Sequence, residues 1–147
     1  MDRPLEAATQ YGRAITISER STPDYYLERF RPLVAAGRIE RALAGLDQGI
    51  SDLGPLVTLQ GEAIKIEIDR GEYDRALDRL ATIEPWMPAE RHHYRRGEIL
   101  DAAGRPDLAR AAFELSLERL GERAACGCPT EASEQLEQAL HARLTAR

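Results

Sequence analysis

A short glycine-led phrase occurs three times in this chain at a nearly constant spacing. The copies are residues 37–43 (GRIERAL), 71–77 (GEYDRAL) and 104–110 (GRPDLAR). Their glycines lie 34 residues apart (71 − 37) and then 33 residues apart (104 − 71). This period is typical of a helix-turn-helix solenoid, in which each repeat is a helical hairpin that buries its apolar faces against its neighbours. The repeat therefore predicts an all-α fold and favours binding over catalysis.

Glycine and proline positions divide the chain into helices. We expect each glycine of the phrase to end a helix in the left-handed region. Pro23, Pro55 and Pro88 are expected to open the upstream helix of each repeat, because proline is well tolerated at a first helical position. A seventh helix is predicted after Pro129, with Thr130 as its N-cap. The six helices predicted before it are 23–36, 39–51, 55–70, 73–84, 89–103 and 106–120.

These positions predict three segments. Residues 1–22 are expected to form a short helix or a tail. Residues 23–120 carry the repeats, and residues 121–147 form a loop over 121–129 followed by a capping helix. The predicted repeats are 23–54, 55–88 and 89–120.

The helix predicted at 55–70 has two apolar stripes and one polar stripe. Leu56, Leu59, Ala63 and Ile66 lie on one apolar stripe, and Val57, Ile64 and Ile68 lie on another. Two apolar stripes indicate burial on two sides, as expected of a helix between neighbours in a stack. The polar stripe is expected to face solvent; it consists of Thr58, Glu62, Lys65 and Asp69.

These features resemble the tetratricopeptide repeat family over residues 23–120. Small residues lie where the family brings paired helices together, and large apolar residues follow one turn later; the two sets are Ala42, Ala76 and Ala109, then Leu46, Leu80 and Phe113. Gly97 and Pro88 also match the family pattern. The first repeat fits least well, and other αα solenoids have similar periods. The resemblance implies a right-handed αα solenoid of about three repeats with a C-terminal capping helix.

The resemblance also implies a binding site. In this family the upstream helices line a concave groove that holds an extended or helical peptide. Carried over by position, the candidate partner-binding residues are Arg31, Thr58, Lys65, Asp69, Arg91, Tyr94, Glu98 and Asp101. The alternative is a solvated face without a ligand. A clamp for a C-terminal carboxylate is disfavoured, because its asparagines are missing and Glu62 would repel the ligand.

Three other local features each have a functional interpretation and a purely structural one. The run 91–96 (RHHYRR) could suggest a metal site or a phosphate or nucleic-acid patch. Adjacent helical residues point about 100° apart and nearby acidic residues dilute the charge, so a partly exposed helix face, with Glu98 offsetting an arginine, is favoured. Cys126 and Cys128 could form a redox pair, although inert thiols are the plainer expectation. Trp86 is expected to fill the seam between the second and third repeats, with a partner-facing anchor as the alternative.

Composition limits the partners. A net charge of −5 over 147 residues argues against nucleic acid, which needs a basic surface. No apolar run approaches the ~20 residues of a membrane helix. No catalytic motif or metal-ligand set is present, so no enzyme activity, cofactor or metal is expected. Lys65 is the only lysine among many arginines. This bias is typical of a GC-rich genome, and we expect a bacterial source.

The sequence thus predicts a non-enzymatic scaffold that binds a protein or peptide in its groove. The alternative is a structural module that forms homo-oligomers or larger assemblies through the ends of the solenoid. Cytoplasmic residence is the default expectation, and a periplasmic or exported location applies if a signal peptide has been removed.

Overall fold

A computed structural model describes residues 22–127 and 130–145, and every regular element within these ranges is helical. The seven described α-helices are α1 (Pro23–Ala35), α2 (Ile39–Leu53), α3 (Val57–Asp69), α4 (Tyr73–Thr82), α5 (Ala89–Ala102), α6 (Pro106–Ala125) and α7 (Glu131–Thr145). A short 3₁₀-helix, Glu84–Trp86, lies between α4 and α5. The predicted segment 1–22 falls outside the described residues except for Thr22.

The chain divides into two compact units, Met1–Arg70 and Gly71–Arg147. The first contains α1, α2 and α3, and the second contains the helices from α4 onward. The boundary lies inside the second predicted repeat, 55–88. The division into repeats of 23–54, 55–88 and 89–120 stays a prediction.

The repeated glycines adopt the backbone conformation that the sequence predicts. Gly37 and Gly104 both have φ of 68°, and Gly71 has φ of 74°. After α1, the amide of Arg38 donates to the carbonyl of Leu33 at 2.8 Å, and the same six-to-one bond recurs after α5. This pattern is the Schellman motif, which satisfies the last carbonyls of a helix and needs a left-handed residue.

The prolines open the upstream helices less uniformly than expected. Pro23 is the first residue of α1, and Pro88 is the N-cap of α5. The prediction for Pro55 is wrong, because α3 begins at Val57 with Leu56 as its N-cap. Gly54 has φ of 89° and ψ of 179°, so the chain makes an extended turn there before the helix starts.

In the first unit, α2 packs against both α1 and α3. Gly49 on α2 makes this possible: a β-carbon there would lie 2.7 Å from Cγ of Tyr26 and 3.0 Å from a methyl carbon of Leu59. Such distances are below van der Waals contact, so only glycine fits between the two side chains. The buried core of this unit is Tyr26, Phe30, Leu33, Ala42, Leu43, Leu46, Leu59, Ala63 and Ile66.

In the second unit, α6 packs against both α5 and α7. Gly97 on α5 lies against the ring of Phe113, and a β-carbon there would be 2.4 Å from the nearest ring carbon. Leu140 on α7 is fully buried in the same core, as expected of a capping helix. The other buried members of this core are Leu100, Ala109, Ala112, Phe113 and Leu120.

The loop predicted at 121–129 is shorter than expected, because α6 continues through Gly121 to Ala125. Side-chain contacts offset the low helix propensity of glycine: Arg119 pairs with Glu122 at 2.9 Å, and Arg123 pairs with the buried Glu90. The cap of α7 is confirmed. The amide of Ser133 donates to Thr130 Oγ1 at 3.2 Å, and the amide of Thr130 donates to Ser133 Oγ at 2.8 Å.

Candidate partner-binding surfaces

The polar stripe of α3 lies on the solvent side of the first unit. Thr58, Lys65 and Asp69 are exposed, and Glu62 is half-buried. Lys65 Nζ lies 2.7 Å from the carboxylate of Glu62, one turn before it. An exposed pair of this kind contributes about 0–1 kcal/mol to stability, so the lysine can exchange this partner for another at small cost.

The opposite faces of α3 are buried, and they include two polar residues that sequence periodicity does not single out. Leu59, Ala63 and Ile64 are almost inaccessible, as predicted, whereas Val57 at the start of α3 is 36% exposed, so the prediction of burial is wrong there. Gln60 and Glu67 are buried beside them. Burial on these sides leaves the stripe of Thr58, Glu62, Lys65 and Asp69 as the surface of α3 available to a partner; we call it the α3 stripe.

Arg31, the candidate from the first predicted repeat, lies on α1 and is highly exposed. Its guanidinium is 3.5 Å from the carboxylate of Glu28, one turn earlier. This long, solvent-exposed pair leaves the arginine side chain accessible.

The candidates on α5 share one side of that helix. Arg91, Tyr94, Glu98 and Asp101 recur at intervals of three and four residues, and we call this set the α5 face. Arg91 and Asp101 are exposed, whereas Tyr94 and Glu98 are half-buried. Gly97, on another side of the helix, packs against α6.

Tyr94 has a structural role that the sequence does not show. Its ring packs on Phe113 with ring centres 5.7 Å apart, and it borders the core of the second unit. Removing the ring would therefore disturb the core as well as the surface. A charged neighbour such as Arg91 is a cleaner probe of binding.

Arg143, on the capping helix α7, joins the α5 face. Its guanidinium lies 3.1 Å from Asp101 and 4.0 Å from Glu98. Glu98 is also bonded by Arg95 at 3.0 Å. The α5 face thus carries alternating charges that come from two helices. Sequence analysis places Arg143 only on the polar side of the last helix, because a pairing across more than forty residues has no local signal.

His92, His93 and Arg96 line a cleft of the second unit. A cleft of about 270 Å³ is lined by Leu77, Asp78, Leu80, Ala81, Glu84, His92, His93 and Arg96. We call it the α4–α5 cleft. His92 is 6% exposed, and the rings of His92 and His93 meet edge to face with centres 5.4 Å apart. The run is therefore a partly exposed helix face, as the sequence favours. Arg91 and Arg96 are exposed and Glu98 pairs with Arg95, whereas His92 is buried.

Trp86 is 61% exposed, so the prediction that it fills a seam between repeats is wrong. It is the last residue of the 3₁₀-helix, which begins directly after the buried Ile83. Ile83 takes the interior position near this turn. The exposed indole favours the alternative interpretation, in which Trp86 contacts a partner.

The described residues also bear on metal binding, cysteine chemistry and membrane insertion. Within residues 22–127 and 130–145, no group of three or more His, Cys, Asp or Glu side chains is arranged to hold a metal ion. Cys126 is exposed and forms no disulfide with a described residue, and Cys128 lies outside the described residues, so the redox hypothesis stays a prediction. No helix of the described ranges is both long and apolar enough to cross a membrane.

The two units are built from helices that pack in consecutive pairs, with glycine-closed turns at a period of 33–34 residues, and this architecture defines a helical-repeat protein. A family model described as a tetratricopeptide repeat-like domain matches residues 35–141. The chain belongs to this family. Proteins of this kind are typically non-enzymatic, and the match supports a repeat scaffold for protein interaction.

Solved structures with the same fold include two MamA proteins. The one described as MamA RS-1 ArsTM double mutant superposes with a TM-score of 0.61 at 14% identity, covering 97% of this chain and 86% of that chain. The one described as MamA MSR-1 C2 gives 0.51 at 19% identity, covering 97% and 94%. At these identities the likeness concerns the fold alone. A comparison with curated proteins gives no significant match.

Proposed function

We propose that the α5 face of the second unit binds an extended or helical protein segment, and that the α3 stripe of the first unit is a binding surface of the same kind. In the tetratricopeptide family the equivalent helices line the peptide groove, and here both surfaces are polar while the other sides of the same helices are buried. A rigid helical scaffold lowers the entropy lost on binding, because its side chains are already positioned.

The observation that carries this proposal is the charge arrangement of the α5 face. Arg91 is exposed and forms no ion pair within the described residues, whereas Glu98 and Asp101 share Arg143. Free positive charge at one end and partly neutralised negative charge at the other suit a segment with charges of both signs. The expected ligand is therefore a mixed-charge segment, rather than a uniformly acidic or basic one.

A random-peptide display selection on the full chain tests the proposal. Peptides enriched on the wild-type protein are then measured against Lys65→Glu and Arg91→Glu, which reverse one charge on each surface. We expect each change to weaken binding about tenfold, equivalent to about 1.4 kcal/mol. Arg41→Glu on α2 and Arg110→Glu on α6 are matched controls, because both arginines are exposed on the second helices of their hairpins.

Either of two results would contradict this function. Selected peptides that bind the two surface variants as tightly as the wild type would place the contact elsewhere. A selection that enriches no peptide above background would remove the evidence for a linear-segment ligand. Circular dichroism of each variant confirms that helicity is retained.

Exposed apolar side chains favour a second candidate function, self-assembly or docking in a larger complex. Trp86 and Leu108 are 61% and 57% exposed, which is unusual for side chains of this size. Light scattering across protein concentration measures this directly. We expect Trp86→Ala and Leu108→Ala to lower any concentration-dependent mass, and a strict monomer at all concentrations would exclude assembly of copies.

A further inference from the structure

The α4–α5 cleft of the second unit is separate from the surfaces proposed above. Its walls come from α4, from Glu84 at the start of the 3₁₀-helix, and from the side of α5 that carries His92, His93 and Arg96. Its volume of about 270 Å³ lies near the lower limit of sites that hold small ligands, about 300 Å³. Its ligand is therefore expected to be a small molecule, up to about the size of a dipeptide.

The histidines of this cleft have unmet hydrogen-bonding capacity. Both ring nitrogens of His92 and Nδ1 of His93 are buried and have no hydrogen-bond partner within the described residues. A neutral imidazole carries one donor and one acceptor, and leaving them unpaired in the interior is costly. Burial, reinforced by His92, lowers the pKa of His93, while Glu84 opposes this shift. The ring of His93 therefore favours its neutral, hydrogen-bonding form.

Charges of opposite sign border the same cleft without neutralising each other. Asp78 and Glu84 come from the α4 side, and Arg96 comes from α5. None of the three forms an ion pair or a side-chain hydrogen bond with another residue of the described ranges. Unpaired charges on opposing elements are arranged for a ligand that carries both signs, because such a ligand can meet each charge with its complement.

The rest of the lining is apolar. Leu77 and Ala81 are wall residues, and Leu80 is 1% exposed at the base of the helix pair. An aliphatic group inserted here would leave water at a gain of about 25 cal/mol for each Å² of apolar surface buried. The cleft thus combines an acidic wall, a basic wall, imidazoles with unpaired nitrogens and an aliphatic surface.

We propose that the α4–α5 cleft binds a small zwitterion with an aliphatic side chain, either a free α-amino acid or a short peptide with the same terminal groups. The ammonium group faces Asp78 and Glu84, and the carboxylate faces Arg96. The imidazoles of His92 and His93 supply hydrogen bonds from their unpaired ring nitrogens, and the side chain lies against Leu77 and Ala81. Metal binding is not favoured here, since the described residues hold no group of three suitable ligands.

Three related probes test the charge requirement: leucine, leucinamide and N-acetylleucine. Leucinamide keeps only the ammonium group, and N-acetylleucine keeps only the carboxylate. Imidazole nitrogen signals in heteronuclear NMR report occupancy, and calorimetry gives the affinity. We expect leucine to shift the His92 and His93 signals saturably and each analogue to bind at least about tenfold more weakly.

Surface variants connect the affinity to the two walls. Glu84→Gln and Arg96→Gln each remove one wall charge and are expected to weaken leucine binding about tenfold. Glu114→Gln and Arg110→Gln are matched controls, because these residues form an exposed pair on α6, 2.9 Å apart. Both are expected to leave leucine binding unchanged.

The dipeptide leucyl-leucine separates the two sources of the zwitterion. Tighter binding of leucine indicates a free amino acid, and tighter binding of the dipeptide indicates a peptide; both outcomes support the site. Equal binding of leucine and its two analogues would overturn the proposal, as would the absence of saturable imidazole shifts up to about 10 mM ligand. The cleft variants leave the α3 stripe and the α5 face intact, so failure here is distinguishable from failure of protein-segment binding.

Discussion

The hairpin of α1 and α2 in the first unit and the hairpin of α5 and α6 in the second both pack a ring against a glycine, but they exchange the helices that carry them. In the first unit the ring is Tyr26 on α1 and the glycine is Gly49 on α2. In the second unit the glycine is Gly97 on α5 and the ring is Phe113 on α6. Close approach of the paired helices is thus achieved twice with the partners reversed.

The residues of the second hairpin that correspond to Tyr26 and Gly49 make a different contact. His93 lies 67 positions after Tyr26 (93 − 26), and Ser116 lies 67 positions after Gly49 (116 − 49). Ser116 is fully buried, and its hydroxyl donates to the backbone carbonyl of Glu90 at 2.6 Å. Different pairs of side chains therefore fill the contact between the paired helices in the two hairpins.

The largest expected effect is at Gly97. We expect Gly97→Ala to destabilise the protein by about 2–3 kcal/mol, because overpacking against the ring of Phe113 outweighs the better helix propensity of alanine. Chemical denaturation measures the change in the free energy of unfolding. Gly121→Ala on α6 is the control: a β-carbon there would meet no atom within 4 Å, so this change should stabilise by about 0.5–1 kcal/mol.

A double variant tests whether the ring causes this cost. Phe113→Leu removes the atoms that a β-carbon at position 97 would meet. Gly97→Ala should then cost about 1 kcal/mol less in the Phe113→Leu background than in the wild type. Equal costs in the two backgrounds would show that the glycine is needed for another reason.

A smaller effect is expected at Gly49. Its β-carbon would lie slightly farther from its neighbours, 2.7 Å from Tyr26 and 3.0 Å from Leu59, so we expect Gly49→Ala to cost about 1–2 kcal/mol. Gly45→Ala, one turn earlier on α2, meets no atom within 4 Å and should be neutral or stabilising. Thermal unfolding of the two variants gives the comparison. If Gly45→Ala were the more harmful change, the assigned packing of α1 on α2 would be wrong.

Alanine substitutions at the glycine-closed turns should lower the free energy of unfolding by the same amount in both units. Gly37 and Gly104 share φ of 68° and have open space where a β-carbon would lie. Alanine at either position is expected to cost about 1 kcal/mol, which is the backbone penalty of the left-handed region alone. Unfolding free energies of the two variants should agree, and a large inequality would mean that one turn has tertiary contacts the other lacks.

The smallest effect concerns a hydrogen bond that only the first unit has. The hydroxyl of Tyr26 donates to Asp52 at 2.6 Å, and this bond and one from Gln48 lower the pKa of Asp52 below 3.8. A lowered folded pKa contributes stability above the unfolded value that is lost as the pH falls through the folded value. Tyr26→Phe should therefore be slightly less stable than the wild type at neutral pH, and the difference should fade below pH 3.8. A difference that grows on acidification would contradict this assignment.

Sequence periodicity predicts the parts of the fold that depend on local chemistry. The left-handed glycines, the buried alanines at positions 42, 76 and 109, and the Thr130 cap are all confirmed. Each depends on a backbone preference or on spacing along one helix, so the information is contained in a few neighbouring residues.

Features that depend on distant side chains could not be predicted in this way. The continuation of α6 past Gly121 depends on the pairing of Arg123 with Glu90 from α5. The burial of His92 depends on α4, and the pairing of Arg143 with Asp101 depends on α7. The prediction for Trp86 is wrong because size alone suggests burial, whereas the nearby Ile83 takes the interior position.

The central claim is that the α3 stripe and the α5 face are each a surface that binds protein segments, and amide chemical-shift mapping tests it most directly. A display-selected peptide is titrated into isotope-labelled protein. We expect the largest shifts to fall within 58–69 and 91–101, with small shifts in α2 and α6. Shifts concentrated in α2 and α6, with α3 and α5 unchanged, would contradict the claim.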